Sequence, residues 1–143
     1  MAGIELPEAA RALLESDAIA HVVTIDPDGA PQVTAAWVGL EGDRIVLATM
    51  PDQRKLRNLR RDPRVALSIQ APTRNAWGLQ EYLVINGTAE VTEGGAAEML
   101  QRLAYTYLGP DVVFPNRPDP PPGFLTWITP ERIGGVGPWN PGR

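Results

Sequence analysis

A basic segment between Asp52 and Arg64 carries the most conspicuous chemistry of this sequence. Of the 13 lysine and arginine residues in the chain, it holds Arg54, Lys55, Arg57, Arg60, Arg61 and Arg64. The whole chain nevertheless has a formal net charge of -4 at pH 7. A local basic cluster on an acidic protein favours a small anionic ligand and argues against nucleic acid as the main partner.

This segment is predicted to form a helix that begins at Pro51 and Asp52, with Asp52 as its N-cap. Leu56 and Leu59 mark the side of the helix that would be buried. The opposite side would carry Arg54, Arg57, Asn58 and Arg61. The alternative is a solvated helix face with ordinary surface arginines.

Lys55 falls in the first turn of this helix, where free backbone N–H groups and the helix dipole favour an anion. A phosphate at that place would receive charge-assisted hydrogen bonds from Lys55 and Arg54. Gln53 could add a neutral donor. The segment is therefore a candidate phosphate site, and a solvated helix face stays the alternative.

The segment from Gln32 to Val38, with the sequence QVTAAWV, is a second candidate. It is predicted to be a strand, and its small residues at positions 34 to 36 would let a flat ring lie against it. Backbone N–H and C=O groups could then pair with polar edges of the ring. The alternative is a barrel strand with small residues at a crowded corner.

The chain contains four tryptophans beside two phenylalanines and three tyrosines. This proportion favours a planar ligand, although Trp is also common in cores and at subunit contacts. Trp77 lies in a predicted loop and Trp139 lies near the C-terminus. Both are expected outside the core.

The chain has no cysteine, which excludes disulfides, thiolate metal sites and cysteine nucleophiles. His21 is the single histidine and is expected to be structural, so no metal site is expected and no catalytic residue stands out. Redox chemistry would have to come from a borrowed cofactor. The chain has neither an apolar run of roughly 18 residues nor the pattern of a secretory signal. A cytoplasmic protein without a membrane partner is therefore expected.

The elements that would position these groups form a mainly β (α+β) pattern. Helices are predicted over 7–16, from 51 onwards and over 95–108, and strands over 19–26, 32–40, 44–50, 65–70, 79–93, 124–129 and 132–136. The first three strands are expected to form consecutive hairpins. A bulge or bend is expected at Asn86 and Gly87, and the proline-rich segment 109–123 is expected to be an extended loop. The chain is predicted to be a single domain, 1–143.

Three segments together resemble a known family, the split β-barrel proteins related to pyridoxamine 5′-phosphate oxidase. They are AHVVTID leading to DGAPQV at 20–33, KLRNLRRDPRV at 55–65 and GTAEV at 87–91. The likeness covers nearly the whole chain and is closer to the short branch that binds the deazaflavin coenzyme F420. It implies a six- to seven-stranded split β-barrel of the FMN-binding type with two or three short helices.

The resemblance also implies which residues contact the cofactor. Lys55 would hold its phosphate, and the residues expected around that phosphate and the ribityl chain are Thr49, Met50, Gln53, Arg54 and Asn58. The residues expected along the tricyclic ring are Gln32, Val33, Thr34, Ala35 and Trp37. A homodimer is implied as well, with two equivalent sites at its interface. The tryptophans expected to serve the partner's cofactor are Trp77, Trp127 and Trp139.

The function implied is an F420-dependent oxidoreductase that passes a hydride from the reduced deazaflavin to an unsaturated or electron-poor small molecule. The basic cluster beyond Lys55 favours F420, whose oligoglutamate tail is anionic, over FMN. Vitamin B6 oxidation is not expected, because the chain ends in GPWNPGR at 137–143 instead of an Arg-Leu-x-Pro-like sequence. The alternatives are an FMN-binding oxidoreductase of the same fold, a non-catalytic F420 carrier, and a barrel dimer whose basic helix contacts another protein.

Overall fold

The computed structural model describes residues 3–140, which form a seven-stranded antiparallel sheet and three helices. In chain order the elements are α1 (Glu8–Leu14), β1 (Ala20–Ile25), β2 (Pro31–Ala36), β3 (Gly39–Glu41), β4 (Arg44–Thr49), α2 (Arg54–Arg61), β5 (Arg64–Arg74), β6 (Gln80–Glu93), α3 (Ala96–Tyr107) and β7 (Phe124–Val136). The three predicted helices and the mainly β pattern are confirmed. None of the described helices is both long enough and apolar enough to span a membrane.

The strand order is β2-β1-β5-β6-β7-β4-β3, so β2 and β3 lie at opposite edges of the sheet although they follow each other in the chain. Two residues, Trp37 and Val38, make the passage between them. The sheet therefore curls until its edges approach each other, as in a split β-barrel. The predicted architecture is confirmed.

Both hairpins predicted from the first three strands form, because β1 pairs with β2 and β3 pairs with β4. The predicted single strand over 32–40 is wrong, so the two hairpins do not share a middle strand. The first part of this segment, β2, pairs with β1, and its last part, β3, pairs with β4. Between them the backbone leaves the sheet, and the N–H of Val38 donates to the hydroxyl of Tyr107 at 3.1 Å. Strand propensity alone does not reveal this change of partner.

Alternate side chains of the central strands build the core, because successive residues of a strand point to opposite faces. Leu67 and Ile69 of β5 are buried in this way. Leu14 of α1 and Leu59 of α2 join the same cluster. α3 packs on the other face of β4 through a smaller cluster of Val46, Met99 and Leu103.

The expected bulge at Asn86 and Gly87 is confirmed, because the pairing of β6 with β7 shifts there. Asn86 pairs with Arg132 and Gly87 pairs with Pro130, which leaves Glu131 as the extra residue. The two final strands predicted over 124–129 and 132–136 are therefore one strand with a bulge. Pro130 interrupts the sequence pattern without ending the strand.

The predicted cap at Asp52 is also wrong. Gln53 occupies the N-cap position of α2 and makes no side-chain capping bond. The Asp52 carboxylate instead accepts a hydrogen bond from Arg60 Nη1 at 3.0 Å. The first turn of α2 is consequently left without a protein side chain on its N–H groups.

Gly87→Ala is expected to destabilise the fold by about 2 kcal/mol, the usual cost of forcing an extra carbon into packed structure. A Cβ at this position would lie 2.1 Å from the carbonyl oxygen of Thr129. Gly134→Ala is the matched control, since a Cβ there meets no atom within 4 Å. Urea unfolding measures both, and equal free energies of unfolding for the two variants would contradict the close strand approach.

Candidate functional site

A cleft of about 590 Å³ lies between β2, the first turn of α2 and the proline-rich segment. It brings together many of the residues predicted from the sequence, namely Gln32, Thr34, Ala35, Trp37, Thr49, Gln53 and Lys55. These residues come from β2, the end of β4, the start of α2 and the two positions Trp37 and Gln53 that flank these elements. The curling of the sheet is what places them side by side.

Lys55 is the central charge of this cleft. The residue is only 5% exposed, which is unusual for a lysine. Its Nζ lies 3.4 Å from the hydroxyl oxygen of Thr34, a long and neutral contact. No carboxylate within residues 3–140 forms an ion pair with it. Burial therefore lowers the pKa of the Lys55 ammonium.

Thr49 lines the same cleft and has a hydroxyl that no other described residue satisfies. Its Oγ1 is buried and has no hydrogen-bond partner in the described part of the chain. Burying a hydroxyl without a partner costs free energy. An anionic ligand oxygen in the cleft would supply the partner that the Lys55 ammonium lacks.

Asn58 lies behind the cleft, although the helical pattern placed it on the exposed side. It is 1% exposed. Its Nδ2 donates to Thr24 Oγ1 at 3.0 Å, to Asp26 Oδ1 at 2.9 Å and to Gln32 Oε1 at 3.4 Å. These bonds fasten α2 to β1 and β2. In this structure Asn58 positions the site and does not line it.

Val33, Met50 and Arg54 do not line this cleft. Val33 is 62% exposed, because its side chain points away from the face of β2 that carries Gln32 and Thr34. Arg54 belongs to a neighbouring cleft of about 480 Å³ on the outer side of α2, lined by Arg54, Arg57, Arg61, Asn58 and the turn at 26–28. We call this the arginine cleft.

Trp77 and Trp139 lie apart from the main cleft of their own chain. Trp77 is 87% exposed at the tip of the hairpin between β5 and β6, as expected. Trp139 is 4% exposed and packs in the core, where its indole N–H donates to the carbonyl of Tyr82 at 3.1 Å. The expectation that Trp139 lies outside the core is wrong.

Phe114 and Leu100 line the cleft without having been predicted. Leu100 belongs to the buried face of α3, and Phe114 is one of only two phenylalanines in the chain. The position of Phe114 inside a proline-rich segment was the available signal. Nothing local connects that segment with β2, so only the tertiary structure reveals the contact.

Comparison with known proteins agrees with this fold. Residues 6–137 match the family described as pyridoxamine 5′-phosphate oxidase. A solved structure named F420 reductase is 28% identical, with a TM-score of 0.74, covering 90% of this chain and 98% of its own. A conserved hypothetical protein from Mycobacterium tuberculosis is 26% identical with a TM-score of 0.70, covering 98% and 88%. HupZ of Group A Streptococcus, at 20% identity and a TM-score of 0.66 with 94% and 97% covered, shares the fold.

Lys55→Met is expected to raise the free energy of unfolding of the ligand-free protein at pH 7 by about 1 kcal/mol, which is a usual size for a stabilising substitution. The folded state lowers the pKa of Lys55, so the charged ammonium opposes folding below that pKa. The penalty disappears as the pH rises through the folded pKa towards that of the unfolded chain. The gain should therefore shrink near pH 10.5.

Urea unfolding at the two pH values tests this, with Arg57→Met as the control on the exposed face of the same helix. Arg57→Met should change the free energy of unfolding by less than about 0.5 kcal/mol. A loss of stability for Lys55→Met at pH 7 would show that the ammonium is satisfied within the protein.

Proposed function

The chain belongs to the pyridoxamine 5′-phosphate oxidase family, and from this we propose that its cleft binds a flavin-like cofactor, reduced coenzyme F420, for hydride transfer to a small unsaturated molecule. The observation that carries the proposal is the buried Lys55 ammonium, which has only a neutral contact and faces an open cleft. An anionic ligand would supply its missing partner.

The residues around Lys55 fit a phosphate. Arg54 and Lys55 occupy the first turn of α2, where their own backbone N–H groups have no acceptor within the helix, whereas that of Leu56 donates to Gln53 O. The helix dipole favours negative charge at the same end. Thr49 adds a buried hydroxyl and Gln53 adds an amide. A phosphate held here would receive a charge-assisted hydrogen bond from Lys55.

The face and edge of β2 suit the ring of such a cofactor. Ala36 leaves room above the face of β2 that carries Gln32 and Thr34, whereas Ala35 lies on the opposite face, and both line the cleft at the edge of the strand. β2 is an edge strand, so backbone N–H and C=O groups on its free edge have no partner strand. These groups would pair with the polar edges of the ring and hold it in one orientation.

When bound, the reduced deazaflavin supplies the hydride. Among the described residues that line the cleft, Lys55 is the only titratable one, so this part of the lining offers no carboxylate, imidazole or phenol for proton transfer. The contribution of this chain is to bind, orient and exclude water. The same absence also suits the second candidate, a non-catalytic F420 carrier. Steady turnover with an acceptor separates the two.

The arginine cleft favours F420 over FMN. It adjoins the proposed phosphate site, because Arg54 belongs to its lining and precedes Lys55 in the first turn of α2. FMN ends at its phosphate, whereas F420 continues into an anionic glutamate tail, which Arg54 and Arg57 could attract. The similarity to the protein named F420 reductase points the same way. FMN stays the alternative, because both cofactors share the ring and the phosphate.

Parallel titrations with oxidised F420 and with FMN, followed by quenching of tryptophan fluorescence, test the proposal. F420 is expected to bind more tightly than FMN, with a steeper loss of affinity as salt rises, because more charges take part. Lys55→Met should weaken the binding of both cofactors about 10- to 100-fold, as expected for the loss of a hydrogen bond to a charged group.

The control for these titrations is Arg11→Met, which removes an arginine of α1 that pairs with Asp43. Arg11→Met should leave both affinities unchanged. Wild-type affinity in Lys55→Met would refute the phosphate site. Preference for FMN would refute the choice of F420 while leaving that site intact.

We also propose that the protein is a homodimer with a cofactor site at each side of its interface. Trp77 supports this, because its indole is 87% exposed on a turn that hydrogen bonds hold. The side-chain oxygen of Asn75 accepts the backbone N–H groups of Trp77 and Leu79, each at 3.0 Å. An exposed aromatic side chain on such a turn is typical of a residue that contacts a partner.

A mixed dimer of Lys55→Met and Trp77→Ala subunits tests whether Trp77 serves the partner's site. Each variant alone is expected to bind F420 weakly. In the mixed dimer one site would carry both substitutions and the other would carry none, so half of the sites should regain wild-type affinity. If Trp77 serves its own subunit, each site of the mixed dimer carries one substitution and both sites should bind F420 weakly. If Trp77 serves no site, the Trp77→Ala variant alone should already bind F420 with wild-type affinity.

A further inference from the structure

The proline-rich segment is fastened to α3 by one side chain. Gln101 donates from Nε2 to the carbonyl of Val112 at 2.8 Å, and its Oε1 accepts the N–H of Phe114 at 3.0 Å. One amide therefore satisfies backbone groups on both sides of residue 113. At the far end of the segment, Gly123 O accepts from Gly94 at 2.7 Å and Pro122 O accepts from Ala96 at 3.0 Å. A segment without helix or strand is thus held in one position.

The result of this fastening is an aromatic group at one end of the main cleft. The rings of Phe114 and Trp37 lie 5.3 Å apart at an angle of 57°. Trp37 also stacks on Tyr107, with ring centroids 5.3 Å apart and nearly parallel planes. The Tyr107 hydroxyl is fixed in turn, since it donates to Ala18 O at 2.8 Å. Trp37 is consequently held from two directions.

This aromatic end differs chemically from the end near Lys55. Trp37 follows Thr34 by three residues of extended chain, a distance of about 10 Å. Thr34 contacts the Lys55 ammonium, whereas Trp37, Phe114 and Leu100 present only apolar surface together with the indole N–H. Within residues 3–140, no charged side chain lines the cleft besides Lys55. A charged group placed at the aromatic end would lose its hydration without gaining a partner.

We propose that the aromatic end, formed by Trp37, Phe114 and Leu100, binds a planar, uncharged, unsaturated ring of the substrate, and that Gln101 positions Phe114 for this contact. The proposal rests on the proposed function, in which the end near Lys55 holds the cofactor. Trp37 then lies where the cofactor and the substrate meet. The specificity of the reaction would come from the proline-rich segment.

Binding of 2-naphthol, measured by equilibrium dialysis with and without saturating F420, tests this proposal. Decahydro-2-naphthol has the same carbon skeleton without flat rings and serves as the comparison ligand. The wild type should bind 2-naphthol at least tenfold more tightly than the saturated compound, and it should do so with F420 already bound. Displacement of F420 by 2-naphthol would overturn the proposal, because the two would then share one place.

Two variants separate the positioning role from general stability. Phe114→Ala should weaken binding of 2-naphthol about tenfold, and Gln101→Met should weaken it several-fold while Phe114 is still present. Both should leave the affinity for F420 within twofold of the wild type, which is the reverse of the pattern expected for Lys55→Met. If Gln101→Met folds poorly, Phe114→Ala still tests the aromatic end. Residue 114 lies outside every described helix and strand, so its replacement is expected to leave the fold intact.

Arg102→Met is the matched control. Arg102 follows Gln101 on α3 and bonds the Glu41 carboxylate and the carbonyl of Leu40, but it does not line the main cleft. It should change neither affinity. Unchanged binding of 2-naphthol in Phe114→Ala would refute the aromatic end. If the wild type does not bind F420, but its binding of 2-naphthol is still weakened by Phe114→Ala, the cofactor proposal alone is refuted.

Discussion

The amide of Asn58 holds α2 against β1 and β2 through its bonds to Thr24, Asp26 and Gln32. These bonds fix the rotation of the helix as well as its place, because a buried amide tolerates few other partners. Lys55 precedes Asn58 by three residues and so shares its face of the helix. The lysine is thereby buried beside β2, although no carboxylate of residues 3–140 forms an ion pair with it. The charge of the cleft is a consequence of how the helix is fastened.

The passage of the chain from one sheet edge to the other shapes the rest of the cleft. Leaving the sheet at Trp37 and Val38 frees the edge of β2 and turns an indole towards α3. Phe114 then covers that indole from the proline-rich segment. One cleft thus combines a cationic end, an edge of unpaired backbone groups and an aromatic end. This combination suits a phosphate, a polar ring and an apolar reactant in that order.

Local signals in the sequence were sufficient for the helices, most strands, the bulge at Gly87 and the place of Lys55 in a first turn. They failed where a residue's role depends on distant parts of the chain. Asn58 has the polarity of an exposed residue, and only its partners on β1 and β2 explain its burial. Trp139 looks like a loop residue until its bond to Tyr82 is known. Phe114 reaches β2 from a segment with no regular pattern at all.

The central claim is that Lys55 is a buried cation kept for an anionic cofactor. The most direct test is the pKa of its ammonium, measured by NMR from the side-chain carbon shifts of the free protein and of the complexes with F420 and FMN. The account predicts a pKa below the ordinary value for lysine in the free protein and a rise when either cofactor binds, because a phosphate would stabilise the charged form. A pKa that is the same with and without bound cofactor would contradict it.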